Sequence, residues 1–168
     1  MAETVPPADP ESLARAIVLR RLTLAPRTRA ELEKALRDRL VPDDVAHGVL
    51  DRFTDLGLID DVEYAAAFTE SRRLRQGWSR RAIAAKLRER GVPREIADEA
   101  LDTVGAEDEL HTALDLGRRR WARTAGLERD VRRRRLSGML ARRGYSYGVV
   151  AAVMAEVDQV DDAADDVC

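Results

Sequence analysis

Apolar residues recur three and four positions apart along most of the chain, the spacing that puts them on one face of an α-helix. Ile83 and Leu87 form one such pair, and Gly91 follows where a left-handed turn would end the helix. Pro93 suits the first turn of the next helix, a position that needs no amide donor. Ile96, Ala100, Leu101 and Val104 then make a second apolar stripe. Upstream, Val62 to Gln76 reads as a further helix, with Asp60 or Asp61 as its cap; Asp60 and Glu63 have capping-box spacing. Leu13 to Leu24 has the same character. The pattern predicts helices throughout.

The helical pattern is also a repeat. Thr28 to Val45 lies over Ser79 to Ile96 without a gap at an offset of 51: Leu32 meets Ile83, Leu36 meets Leu87, and Val41-Pro42 meets Val92-Pro93. A third copy follows at an offset of 53, with Leu136 on Ile83, Leu140 on Leu87 and Gly144 on Gly91. With one helix before each pair, the prediction is three tandem three-helix repeats, at 12–59, 60–104 and 106–157. Residues 1–11, with three prolines, and the acidic segment 158–168 are expected to be mobile tails. Each repeat buries little apolar surface alone, so an elongated, curved array with long binding surfaces is expected.

Composition supports the all-α reading and narrows the function. The 168 residues are 45% hydrophobic, 36% charged and only 4% aromatic. With no long apolar span and no signal-like N-terminus, a cytoplasmic protein is expected. Cys168, the only cysteine, offers neither a disulfide framework nor a metal site. No glycine-rich phosphate loop occurs, and His47 and His111 stand alone, so neither a cofactor nor a metal is expected. Asp60-Asp61 could form a carboxylate pair for acid–base work, but helix capping needs fewer assumptions. The chain does not read as an enzyme.

Charge changes the picture more. The formal net charge is −2, but residues 1–60 carry −2, residues 61–150 carry +6 and residues 151–168 carry −6. A basic middle suggests a polyanionic partner, although solvated helix faces are commonly charged too. Nearly all the positive charge is arginine, which pairs planar phosphate and carboxylate groups. Arg132 to Arg135 are consecutive in a predicted helix, so they fan over about 300° and at most two or three can face one partner. Arg72, Arg73, Arg75, Arg80 and Arg81 surround Gly77-Trp78, a predicted inter-helix turn. Trp78 and Trp121 could serve an interface or stack on bases; the helix-junction setting favours plugging the core.

Taken together, Leu56-Gly-Leu-Ile-Asp-Asp61, Tyr64-Ala65, Phe68, Ser71-Arg72, Gly77, Ile83, Leu87, Arg90-Gly-Val-Pro93 and Arg142-Arg-Gly-Tyr145 with Val149 resemble the RecX family of bacterial RecA regulators. The resemblance covers about residues 12–157. It implies three three-helix repeats, binding in or along the RecA filament, restraint of filament extension, ATP hydrolysis, strand exchange and co-protease activity, and contact with DNA. It implies no catalytic residues. Tyr64, Phe68 and Gly91 are read as architectural. Leu40 stands where the second repeat has Gly91, and Ser146 replaces a proline, so those helix ends are expected to be looser. On this reading the expected contact surface is Arg72, Arg73, Arg75, Arg80, Arg81, Lys86, Arg118, Arg119, Arg120, Arg132, Arg133, Arg142 and Arg143, and the partner is the RecA filament, with single- or double-stranded DNA beside it. No membrane contact is expected, and the protein is expected to be a monomer. The alternative is a nucleic-acid-binding module whose basic stripe tracks phosphate without RecA. The acidic end, including Asp161, Asp162, Asp165 and Asp166, is read as a solubility device rather than a self-inhibitor.

Overall fold

The computed structural model describes the backbone of residues 9–102 and 105–165. Among them are nine α-helices and no strand, three helices to each repeat. The first repeat holds α1 (Pro10–Leu24), α2 (Arg29–Arg37) and α3 (Asp43–Asp55). The second holds α4 (Asp61–Gln76), α5 (Arg80–Glu89) and α6 (Arg94–Asp102), and the third α7 (Ala106–Ala122), α8 (Arg129–Arg142) and α9 (Tyr147–Asp165).

Equivalent positions have equivalent environments, the three-dimensional counterpart of the 51- and 53-residue offsets. Leu32, Ile83 and Leu136 are at most 1% exposed, and Leu36, Leu87 and Leu140 are fully buried. Their four-residue spacing keeps both on the inward face of the middle helix of each repeat. Those helices end alike. Leu40, Gly91 and Gly144 take positive φ (57°, 75° and 85°), and the next amide, of Val41, Val92 and Tyr145, reaches back to the carbonyl of Leu36, Leu87 and Leu140. The turns at Leu40 and before Ser146 are therefore not looser by their hydrogen bonds. Leu40 adopts the left-handed conformation with its side chain 91% exposed. Ser146 supplies what a proline could not, because its hydroxyl accepts from the amide of Val149 at the start of α9.

Other expectations shift by a few residues. Pro42 is the N-cap of α3 and Pro93 directly precedes α6; their carbonyls accept from Ala46 and Ala97. The proposed tails are partly helical. Asp9 caps α1 through the amide of Ser12, and Pro10 takes the first helical position, which needs no donor. At the other end α9 continues through Asp165. Residues 1–8 and 166–168, and Val104 of the expected stripe, lie outside the described residues.

The chain forms two compact units. One joins residues 1–67 and 87–100 around a core of Val18, Leu32, Leu36, Val49, Leu50, Phe53 and Ile59. In it, the start of α2 abuts the end of α5. The amide of Arg29 donates to Asp61 at 2.9 Å, Thr28 donates to the carbonyl of Arg90 at 2.6 Å, and Arg90 reaches Glu31 and the hydroxyl of Tyr64. Asp60 meanwhile caps α4 through the amides of Val62 and Glu63, so the two adjacent carboxylates serve two different helix starts. The other unit joins residues 68–86 and 101–168, with Trp121, Leu136, Leu140, Tyr145, Val153 and Val157 in its core. There the amide of Ser79, the residue before α5, donates to the carbonyl of Arg143 at 3.0 Å.

Candidate basic interface

The expected contact residues all belong to the second compact unit, but they fall into four physical groups. The first is structural. Arg132 is only 9% exposed; its guanidinium lies 3.8 Å from the centroid of the Trp121 ring and donates to the Trp121 carbonyl. It is therefore withdrawn from the contact surface. The reason is helical register: Arg132, Leu136 and Leu140 lie four apart, so Arg132 continues the buried stripe of α8 and rests its charge on an aromatic face. The repeat already held this information, because Arg132 aligns with Thr28 and Ser79, which are both fully buried. Trp121, 3% exposed, plugs the core.

The second group is already paired. Arg80 donates to Asp102 at 2.8 Å and to the carbonyl of Leu101, which is a clasp from α5 to the end of α6. Arg118 pairs with Glu156 at 2.6 Å and Asp115 at 3.4 Å, and these partners raise its already high pKa. Arg133 pairs with Asp158, which also meets Arg129 at 3.4 Å. The acidic end of α9 thus neutralises part of the basic charge of α7 and α8. Exposed pairs of this kind are worth about 0–1 kcal/mol and can be exchanged for a partner's groups. Lys86 is half-buried on α5.

The third group presents charge outward. Arg75 and Arg142 are exposed, and Arg81 and Arg119 are exposed while donating to the carbonyls of Gly144 and Asp115. Arg72 is half-buried and fixed from both sides, its guanidinium 4.8 Å from the Phe68 centroid and 5.1 Å from that of Trp78. It also donates to Gln76 at 2.6 Å. Trp78 is half-buried, so it neither plugs a core nor stands free. Its amide closes the turn after α4 by donating to the Arg72 carbonyl, while Gly77 supplies the positive φ of 58°.

Around that turn the remaining arginines gather. A Cβ on Gly77 would lie 3.2 Å from Nη1 of Arg143 and 3.1 Å from Cδ2 of Leu116. The guanidinium of Arg143 is thus seated against a site open only because residue 77 is glycine. Desolvation lowers the Arg143 pKa; Tyr145 opposes this, and the like charges of Arg120 and Arg123 add to it. Nε of Arg73 and of Arg120 and Nη1 of Arg143 are buried without a hydrogen-bond partner. Arg123, the C-cap of α7, was not anticipated as a site residue; its position seven residues after Leu116 and three after Arg120 on one helix face was the available signal.

Among the described residues no three His, Cys, Asp or Glu side chains are placed to hold a metal ion, and no helix is long and apolar enough to cross a membrane. His47 lies 3.8 Å from Glu33 and His111 3.5 Å from Asp115, both at the surface.

Comparison with known proteins agrees with the repeat. Residues 14–53, 60–101 and 107–154 match the models of the first, second and third three-helix domains of RecX. The chain is 50% identical over 150 residues to the regulatory protein RecX of Thermobifida fusca, covering 89% of this chain and 81% of that one. It is 48% identical over 151 residues to the regulatory protein RecX of Streptomyces coelicolor, covering 90% and 80%. In fold it is similar to the crystal structure of RecX from Lactobacillus salivarius, with a TM-score of 0.74 at 23% identity over 91% of this chain and 99% of that one. Three domain matches in chain order, each over one of the helix triplets described above, and relatives of about half-identical sequence place the chain in the RecX family.

Proposed function

We propose that this protein is a negative regulator of the RecA recombinase. It binds the RecA–DNA filament and restrains its extension, and with it ATP hydrolysis, strand exchange and co-protease activity. The observation that carries this reading is the match of all three repeats to RecX domains, together with relatives named regulatory protein RecX. The protein acts in the cytoplasm as a non-catalytic monomer. Its repeats span 12–59, 60–104 and 106–157 in this reading, the outer ones lengthened by the helical residues found at Pro10 and beyond Val157.

Contact is made by the arginines that face outward, Arg72, Arg75, Arg81, Arg119 and Arg142, with Arg73, Arg120 and Arg143 at the Gly77 turn. Arg80, Lys86, Arg118 and Arg133 contribute where a partner's acidic or phosphate groups replace their internal neighbours. Arg72 is the anchor: two rings and Gln76 already hold its guanidinium, so little side-chain entropy is lost on binding. The decisive experiment measures ATP hydrolysis by RecA on single-stranded DNA as this protein is added from far below to equal the RecA concentration. Strong inhibition at substoichiometric amounts is expected, and Arg72→Glu with Arg75→Glu should abolish it at a cost of about 1–2 kcal/mol in stability from the lost ring contacts, which leaves the protein folded.

A second reading, direct binding of nucleic acid without RecA, is favoured by the surplus of unpaired arginine charge. It predicts binding to naked DNA that weakens steeply with salt, and no effect on RecA beyond competition for DNA.

A further inference from the structure

We infer that the C-terminal ends of α7 and α8 form a binding site for a compact oligophosphate, held by Arg120, Arg123 and Arg143 beside Gly77. This goes beyond the RecA reading and does not depend on it.

The geometry starts at Gly77. The space a Cβ would take is bordered by Nη1 of Arg143 and by Leu116, so the guanidinium and α7 meet at this turn. Arg120 and Arg123 follow Leu116 by four and seven residues, which carries them along the same face of α7 toward its end. Arg143 is the C-cap of α8, and its backbone is pinned there: its carbonyl accepts from Ser79, and Gly144 behind it has no room for a side chain, with Ser79 Oγ at 2.6 Å and Ala82 Cβ at 2.7 Å from a Cβ at that position. The guanidinium is therefore carried on a fixed base.

The charge is what distinguishes this cluster from the other arginines of the unit. Arg80, Arg118 and Arg133 each have a carboxylate partner; Arg120, Arg123 and Arg143 make no ion pair among the described residues. The groups acting on Arg143 include two like charges and no carboxylate. Nε of Arg120 and Nη1 of Arg143 are buried donors without acceptors, an arrangement that native proteins tolerate rarely and that an anion would satisfy. Two helix C-termini offset this by about half a negative charge each, which leaves a surplus of about two positive charges. One phosphodiester, with a single negative charge, under-fills that surplus; free orthophosphate can neutralise it, but three guanidiniums gripping in bidentate fashion call for more oxygens than one phosphate offers, which a chain of two or three phosphoryl groups supplies.

The test titrates inorganic tripolyphosphate into the full-length protein by calorimetry and thermal unfolding, with orthophosphate and a single-stranded oligonucleotide in parallel. Saturable binding of one tripolyphosphate, at least about tenfold tighter than orthophosphate, is expected. Arg143→Gln, and separately Arg120→Gln with Arg123→Gln, should each weaken it about tenfold or more, the loss typical of one or two charge-assisted hydrogen bonds. Arg75→Gln, an exposed arginine outside the cluster, should leave it unchanged. A nucleoside triphosphate that binds with the same dependence on Arg143 would identify the carrier as a nucleotide, and tripolyphosphate alone a free oligophosphate; both support the site. Equal weakening by Arg75→Gln overturns it in favour of diffuse charge. Oligonucleotide binding that needs the three arginines while tripolyphosphate fails to bind overturns it in favour of a phosphodiester backbone. Loss of RecA inhibition by Arg143→Gln without any anion binding overturns it in favour of an acidic protein surface.

Discussion

The hydroxyl of Thr28 donates to the carbonyl of Arg90 at 2.6 Å, tying the residue before α2 to the residue after α5, 62 positions away in the chain. Ser79, 51 residues after Thr28, makes the corresponding tie with its backbone amide instead of its hydroxyl, donating to the carbonyl of Arg143. In both joints the next residue of the later repeat is a glycine with no room for a Cβ. One on Gly91 would lie 2.3 Å from Cβ of Ala30, and one on Gly144 2.6 Å from Oγ of Ser79. At the matching position of the first repeat, Leu40 stands with its side chain in solvent.

This separates two costs that a glycine substitution usually mixes. Gly57 has a positive φ of 69° but open space around it, so Gly57→Ala should cost only the left-handed conformation, about 1–2 kcal/mol. Gly91→Ala should cost at least about 2 kcal/mol more, because Ala30 must also be displaced. Urea unfolding of the two variants gives the difference directly; equal losses would mean that the joint relaxes freely.

Arg132→Ala should behave as a core mutation. It removes the stacking on Trp121 and the bond to its carbonyl, and about 2 kcal/mol of stability should be lost. Arg142→Ala, on the exposed side of the same helix, should leave stability within about 0.5 kcal/mol. Chemical denaturation of both variants decides whether the arginine run is one surface or two environments.

Asp61 should make the first joint pH-sensitive. Burial raises its pKa above 3.8, Asp60 and Glu31 add to this, and the amide and charge of Arg29 oppose it. With the folded pKa the higher one, the folded state binds the extra proton, so this group's contribution to stability falls as pH rises from about 3.8 through the folded value. Asp61→Asn keeps an acceptor for the amide of Arg29 and should match or exceed the wild type at neutral pH, with the difference vanishing in acid. Asp61→Ala loses the acceptor and should cost about 1 kcal/mol. Thermal unfolding across this range is the measurement.

Tyr145 acts at the other end of the scale. Desolvation raises its phenol to about 12, Glu109 reinforces the shift and Arg143 opposes it. Stability linked to this neutral phenol is present below pH 10 and is lost as pH rises from 10 to about 12. Its hydroxyl is buried without a hydrogen-bond partner, so Tyr145→Phe should not destabilise at neutral pH and should flatten the alkaline loss. Ultraviolet titration of the phenolate, alongside unfolding, tests both statements.

The sequence alone determined the helices, their three-fold repetition, their inward stripes and the RecX resemblance, because each depends on spacings within about fifty residues. Glycine and proline punctuation located the helix ends to within a residue or two, and the capping role of Asp60 followed from its neighbours. The tertiary structure decided what the arginines do. Arg72, Arg118, Arg132 and Arg143 look alike in the chain, yet one is clamped by two rings, one is neutralised by Glu156, one is buried on Trp121, and one faces two other arginines with no acid. A long cationic side chain has no fixed periodic address; its environment is set by whichever residue, tens of positions away, the fold brings beside its head group. The same reason hid the second role of the aspartate pair, since nothing near Asp61 in sequence points to the amide of Arg29.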